Sequence, residues 1–333
     1  LLKQPAGTKD KAGYNRHSPF VDNYRERKKE RRGRSGGLVR ENFPLLCRKG
    51  LLHGCRQSEG FRDAIIENTM IQTRQQKDIF GMTKANDQKR LYKDLAWIWP
   101  IFSTPEEYAP STRDLVRIIK KNSKIKVKTL LHLGSGAGLI DLTFKKYFRV
   151  TGVDLSRKMI AQARQLNPEV RYVQGDMRNV MLKQKFEAII VPDSMDYLTS
   201  KNDIQKTIRI AHDHLRPGGV FLIVIEQTQE TFKQNSSVLY TRKRGDVELT
   251  VFENLYDPDP KDSTCELTFI YLIRKRGKLT METDRHLCGL FSVKVWNKLI
   301  REAGFKAKFQ MYVAHPPETG RFPMFICQKP ENT

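Results

Sequence analysis

Val127-Lys128-Thr129-Leu130-Leu131-His132-Leu133-Gly134-Ser135-Gly136-Ala137-Gly138 is the stretch that decides the fold. Its first seven residues read as a buried strand, and the glycines turn it into an amphipathic run reaching Phe148. Glycine accepts positive φ and carries no side chain, so such a bend lets backbone approach a ligand closely. The helix behind it presents unpaired N–H groups. A phosphate-cradling loop needs GxxxxGK followed by Ser or Thr, which is absent, and the dinucleotide fingerprint GxGxxG sets its third glycine one residue later than Gly138. The spacing here is GxGxG, which suits either a nucleoside cofactor or a plain strand-to-helix turn.

Outward from this stretch, strands and helices alternate. Arg149 to Asp154 reads as a second strand, Ser156 caps a helix to Leu166, Val170 to Gln174 is a third strand and Phe186 to Val191 a fourth. A helix from Asp203 to Leu215 stops at Arg216-Pro217-Gly218-Gly219, and Val220 to Glu226 is a fifth strand, apolar as an inner parallel strand must be. Upstream, helices are expected at Gln88 to Trp97 and, after a break at Pro100, at Ser111 to Lys121 with Ser111 as N-cap. This alternation predicts an α/β, Rossmann-like, doubly wound sheet. Between strands five and six the pattern changes. Over about 230–290, Val247 to Tyr256, Thr264 to Arg274 and Lys278 to Leu287 read as an antiparallel β insertion without helices. A helix from Ser292 to Ala303, closed by Gly304, then leads to strands at Lys306 to Val313 and Phe322 to Lys329.

The chain has 333 residues, 39% hydrophobic, which allows one or two domains with a substantial core. Its longest apolar strand candidate, Val220 to Ile225, falls far short of the roughly 18 residues that a helical span needs. Five cysteines without a CxxC pair predict reduced thiols and no metal site. No secretory signal is read at the N-terminus, so a cytoplasmic protein without membrane partner is expected, as monomer or homodimer. The net charge is +23, of which +9 falls in residues 1–81, concentrated from Arg25 to Arg34. That segment reads as a basic, disordered tail or a non-native extension, with Met82 as a plausible start and 82–333 as the functional domain.

Two carboxylates strengthen the nucleoside reading. Asp154 ends the second strand, twenty residues after Gly134, where it suits ribose hydroxyls. Gly175-Asp176-Met177 follows the third strand, where it suits an adenine. Each acid alone reads as a cap or turn residue. In Leu130 to Gly138, Thr151 to Met159, Gln174-Gly175-Asp176-Met177 and His214-Leu215-Arg216-Pro217-Gly218-Gly219 the sequence resembles the class I S-adenosylmethionine-dependent methyltransferases, from about Tyr92 to Lys329. The resemblance implies a seven-stranded sheet with an antiparallel last strand. It puts Gly134, Ser135, Gly136 and Gly138 around the methionine part of S-adenosylmethionine, Asp154, Leu155 and Met159 at the ribose side, and Gly175, Asp176 and Met177 at the adenine. The expected product is S-adenosylhomocysteine. Many members carry an acid where this chain has His132. Asp176-Met177-Arg178, the aromatic-containing loop Ser194 to Leu198 and the insertion are similar to the small-molecule branch that includes the amino-sugar N-methyltransferases.

Methyl transfer from a sulfonium is an in-line displacement, so alignment and exclusion of water carry most of the rate, and the acceptor must present a lone pair. Candidates stand after the fourth strand and in the insertion. Asp193 serves cofactor or acceptor, Tyr197 is the stronger catalytic candidate, and His286 is a further one. Asp196 and Arg321 are candidates for binding the acceptor, with an Asx turn and an exposed arginine as the bland readings. Tyr92 and Tyr108 are placed over the cofactor, where an aromatic face attracts a sulfonium; helix packing is the alternative. Two functions follow. The leading one is methylation of an amine or hydroxyl on a small metabolite. The other is RNA binding or RNA methylation through the basic surface and tail; it ranks lower because the charge is scattered and no RNA-reading motif appears.

Overall fold

A computed structural model describes residues 87–314 and 320–331. The basic tail and Met82 lie outside the described residues. Seven strands form the central sheet: β1 (Thr129–Leu133), β2 (Arg149–Asp154), β3 (Arg171–Gln174), β4 (Phe186–Pro192), β5 (Leu215–Val224), β10 (Lys306–Val313) and β11 (Arg321–Gln328). Their order is β10-β11-β5-β4-β1-β2-β3. Strands β1 to β5 pair in parallel, and the last strand, β11, runs antiparallel to both neighbours. This is the Rossmann-like arrangement expected.

Because side chains alternate across a strand, the sheet buries two faces. Leu131, Ile189 and Phe221 pack on one side against α5 (Lys201–His214) and α6 (Val293–Glu302) through Ile204, Ile208, Trp296 and Ile300. Leu130, Ile190 and Leu222 pack on the other against α2 (Pro105–Asn122), α3 (Asp141–Phe144) and α4 (Arg157–Leu166) through Val116, Ile119, Phe144 and Ile160. Truncating such a residue to alanine costs about 2–5 kcal/mol.

The insertion is a second sheet, β6-β7-β8-β9, antiparallel throughout: β6 (Ser236–Arg244), β7 (Val247–Tyr256), β8 (Thr264–Lys275) and β9 (Lys278–Gly289). Its first strand was not expected. One face of this sheet, Leu249, Val251, Phe269 and Tyr271, covers Leu91, Leu95 and Ile98 from the N-terminal segment.

That N-terminal segment corrects three expectations. The helix expected at Gln88 to Trp97 is instead two 3-10 turns, Arg90–Tyr92 and Asp94–Ile98. Pro100 does not break the chain; it sits in the first turn of α1 (Trp99–Phe102), where its missing N–H has no partner to lose. Ser111 lies inside α2, which starts at Pro105 with Thr104 as N-cap; the Thr104 N–H donates to Glu107 Oε2 at 3.3 Å. Downstream, only Asp141–Phe144 of the run to Phe148 is α-helical. Among the described residues, no helix is long and apolar enough to cross a membrane.

Candidate active site

A cavity of about 1140 Å³ opens at the C-terminal ends of the parallel strands. Parallel α/β sheets bind ligands at this edge, because loops diverge there on the two sides of the central strand. β1 is that central strand: β2 and β3 contribute Asp154, Gly175, Asp176 and Met177 on one side, and β4 and β5 contribute Asp193 and Glu226 on the other. The insertion roofs the cavity with Glu253, Leu267, Phe269 and Cys288, and the N-terminal segment adds Tyr92, Trp99 and Tyr108.

The glycine bend has the backbone its sequence implied, with φ of 71° at Gly134, 53° at Gly136 and 73° at Gly138. The three glycines do different things. A β-carbon on Gly134 would strike Ser194, and one on Gly138 would come 2.5 Å from the Tyr172 hydroxyl; one on Gly136 would meet nothing within 4 Å. Gly136 therefore faces open cavity, whereas Gly138 packs inward. Asp154 secures the bend: its Oδ2 accepts the Gly136 N–H at 2.7 Å and its Oδ1 accepts the Ser156 N–H at 2.8 Å. Burial raises this carboxyl above its ordinary value, and these amide donors work against the rise. Asp176 is held in a fork by Arg178, at 2.9 and 2.6 Å on Oδ2, which keeps its carboxyl below the usual range. The open Gly136 and the carboxylate beside it fit a nucleoside with ribose hydroxyls.

On the other side, acids gather without basic partners. Asp193 adopts φ of 60°, a left-handed conformation rare outside glycine. Among the described residues, no hydrogen bond or ion pair ties down its carboxylate or that of Glu226. Both line the cavity and are solvent-accessible there. Burial lifts Asp193 to about 6 and Glu226 well above its usual value, the latter aided by Asp193 and Asp196. Asp196 is buried, accepts the Glu226 and Gln227 N–H groups, and is lifted by burial to about 7.

Tyr197 joins a chain of hydrogen bonds. Its hydroxyl lies 2.8 Å from that of Tyr92 and 3.0 Å from His286 Nδ1; His286 Nε2 lies 2.8 Å from Asp284 Oδ2, which also accepts the Leu91 N–H at 2.7 Å. Burial works to raise Asp284, but the donated hydrogen bonds prevail and hold it below the usual carboxylate range. The ionised Asp284 therefore accepts from Nε2–H, and Nδ1 is left to accept from Tyr197. Tyr92, in turn, donates to Tyr197. Burial pushes both phenols well above 10, and Tyr108 to about 12.

The cavity thus brings together Tyr92, Tyr108, Gly134, Ser135, Gly136, Asp154, Leu155, Gly175, Asp176, Met177, Asp193, Asp196 and Tyr197. It is not lined by four residues singled out from sequence. Gly138 faces the core, Met159 is buried against Ala96 and Ala137, His286 stands behind Tyr197, and Arg321 is exposed at the start of β11. Sequence reasoning missed Glu226, Glu253 and Asp284. Glu226 was visible as the acid ending an apolar strand, and Asp284 as an acid two residues from His286 on one strand face.

The fold and the cavity are those of the class I S-adenosylmethionine-dependent methyltransferases, and the chain belongs to that family. Residues 130–219 match the family model described as a methyltransferase domain. The chain is 30% identical over 208 residues to the dTDP-3-amino-3,4,6-trideoxy-alpha-D-glucopyranose N,N-dimethyltransferase of Streptomyces venezuelae, covering 61% of this chain and 86% of the relative. It is 23% identical over 206 residues to the dTDP-3-amino-3,6-dideoxy-alpha-D-glucopyranose N,N-dimethyltransferase of Streptomyces fradiae, covering 61% and 80%. Among solved structures it resembles Streptomyces venezuelae DesVI, with a TM-score of 0.61 at 23% identity over 67% of this chain and 92% of that one. SAM-bound CalS10, an amino pentose methyltransferase from Micromonospora echinaspora, gives 0.59 at 20% identity, with 67% and 92% covered.

Proposed function

We propose that this enzyme methylates an amine nitrogen of a small, polar metabolite. The observation that carries the reading is one cavity with two unlike halves: a nucleoside cradle of Asp154 and Gly136, and across β1 the unpaired carboxylates Asp193 and Glu226 beside the Tyr197 network. Acids without basic partners favour a cationic guest, which supports an amine over a hydroxyl. Relatives acting on amino sugars support a compact acceptor.

When bound, S-adenosylmethionine supplies an electrophilic methyl on sulfonium. The chain's residues do the rest. Asp154 holds the ribose hydroxyls, with Asp176 and Met177 at the base. Asp193 and Glu226 attract the acceptor ammonium and orient it. Insertion and N-terminal segment exclude water, which strengthens each of these interactions. Tyr92 then takes a proton from the acceptor nitrogen as its own hydrogen passes to Tyr197 and that of Tyr197 to His286 Nδ1. The N–H bonding pair stays on nitrogen as the attacking lone pair. The proton ends on His286, beside Asp284. Concerted transfer avoids a free phenolate, which the high tyrosine values disfavour.

Calorimetry on the full chain tests the cofactor half: S-adenosylmethionine binds the wild type, and Asp154→Ala abolishes the heat. An amine panel assayed for S-adenosylhomocysteine release tests the acceptor half. Cofactor binding with no release above background across the panel would reduce the protein to a cofactor-binding pseudoenzyme.

A further inference from the structure

We propose that the acceptor carries two basic nitrogens and that Glu253, in the roof of the cavity, holds the one that is not methylated. This rests on the reading that the cavity methylates an amine.

Strand β7 turns one face toward the N-terminal segment, and along that face Val247, Leu249 and Val251 are buried against Leu91, Leu95 and Ile98. Side chains alternate across a strand, so the next residue on the same face is Glu253. An acid therefore continues an apolar stripe, and it lines the cavity. A charged side chain in such a stripe calls for a partner. The Tyr240 hydroxyl meets one of its oxygens, donating to Oε1 at 2.7 Å. Among the described residues no hydrogen bond or ion pair takes Oε2. The nearby cations are engaged elsewhere: Lys89 pairs with Asp87 at 2.9 Å and Arg178 with Asp176 at 2.6 Å. Tyr240 thus fixes the direction of the carboxylate and leaves one oxygen for a guest.

Charge and register select that guest. Among the described residues, Asp193, Glu226 and Glu253 line the cavity without an ion pair. Glu253 adds to the field that, after burial, Asp193 and Asp196, raises Glu226 above its usual value. The methyl donor brings one sulfonium and the reacting nitrogen arrives as one ammonium, so a monoamine answers only two of the three acids. When guests displace water from the cavity, an acid left unpaired is destabilising, and a phosphate-bearing acceptor would add repulsion. A second ammonium removes the imbalance. The pairing sets Glu253 beside Phe269 and Phe269 beside Asp284. Glu253 therefore shares the roof face with the end of the Tyr92–Tyr197–His286–Asp284 chain, two strand spacings or about 10 Å away. A short carbon chain or ring between the two nitrogens spans such a gap.

The test offers the full chain α,ω-diaminoalkanes beside alkylamines and amino alcohols of matched length, with S-adenosylhomocysteine release as the readout. Diamines should exceed both other series in kcat/KM by about tenfold or more, the scale of one hydrogen bond between charged groups. The amino alcohols separate charge from hydrogen bonding, since a hydroxyl can also donate to Oε2. Glu253→Gln keeps an amide oxygen for Tyr240 but removes the charge, and it should cut the preference for diamines over alkylamines about tenfold. A merely structural Glu253 would lower both series alike. Equal rates for the three series, or a preference that Glu253→Gln leaves in place, would overturn the proposal. Should the variant fail to fold, the wild type decides: diamine kcat/KM peaks at one chain length, and a preference that ignores length refutes the assignment. If no amine of any series is methylated while S-adenosylmethionine still binds, the amine reading itself fails and takes this proposal with it.

Discussion

Tyr197 and His286 stand 89 positions apart, yet the Tyr197 hydroxyl lies 3.0 Å from His286 Nδ1. The bond ties the loop after β4, part of the central sheet, to strand β9 of the insertion. If the proposed proton path holds, acceptor chemistry is thereby coupled to the docking of the second sheet.

Tyr197→Phe interrupts the chain between Tyr92 and His286. The expected loss in kcat is about 10²-fold, the lower range for a positioned acid or base. His286→Gln should give a similar loss, and the double variant little more, because the two act as a unit. Steady-state kinetics on the four proteins checks this; additive losses would argue for separate roles.

Glu226→Gln removes a carboxylate from the acceptor side. It should raise the acceptor KM about tenfold while the S-adenosylmethionine Kd stays within about twofold, as for loss of one charged contact. Calorimetry beside kinetics separates the two effects.

Gly136 and Gly138 respond differently to alanine. Both pay roughly 1–2 kcal/mol for positive φ. Gly138→Ala also drives a β-carbon into Tyr172 and Asn167 and should melt several degrees lower than Gly136→Ala. Gly136→Ala keeps more stability and loses cofactor affinity, because its methyl projects into the cavity. Thermal melts and calorimetry on the pair test the assignment.

Asp196 sets a pH dependence. Its folded value of about 7 lies above the roughly 4 of an unfolded aspartate, so between those limits the folded protein binds more protons than the unfolded chain. Stability from this group is therefore present at low pH and lost as pH rises toward 7; Asp193, at about 6, acts in the same sense. Melting temperature followed from about pH 5 to 7.5 should fall less steeply for Asp196→Asn than for the wild type. Cationic acceptors should bind better across the same rise, as the acids lose their protons.

The central sheet was legible because its signals are local. β2 ends at Asp154 and Ser156 caps α4, both as read, since a strand bounded by turn residues and a capping serine need no distant partner. The Thr104 cap was also written locally, in Thr104 and Glu107, but the more central Ser111 drew the reading. β6 escaped because it is an exposed edge strand without alternation. The 3-10 turns at 90–98 take their shape from the insertion sheet that covers Leu91 and Ile98, a long-range effect that no window shows. For the same reason Tyr197 and His286 were each singled out, but not as partners, and Asp284 was not found.

The Gln88 amide donates to the Arg285 carbonyl, the Leu91 amide to Asp284, and Arg90 pairs with Glu282. The N-terminal segment and strand β9 are therefore clasped into one cover that shares no strand with the central sheet. On the proposed function, changes in that cover would retune which acceptor is admitted while the strand ends that line the methyl-donor half are left intact. A lineage of such enzymes is free to wander among acceptors without rebuilding its engine.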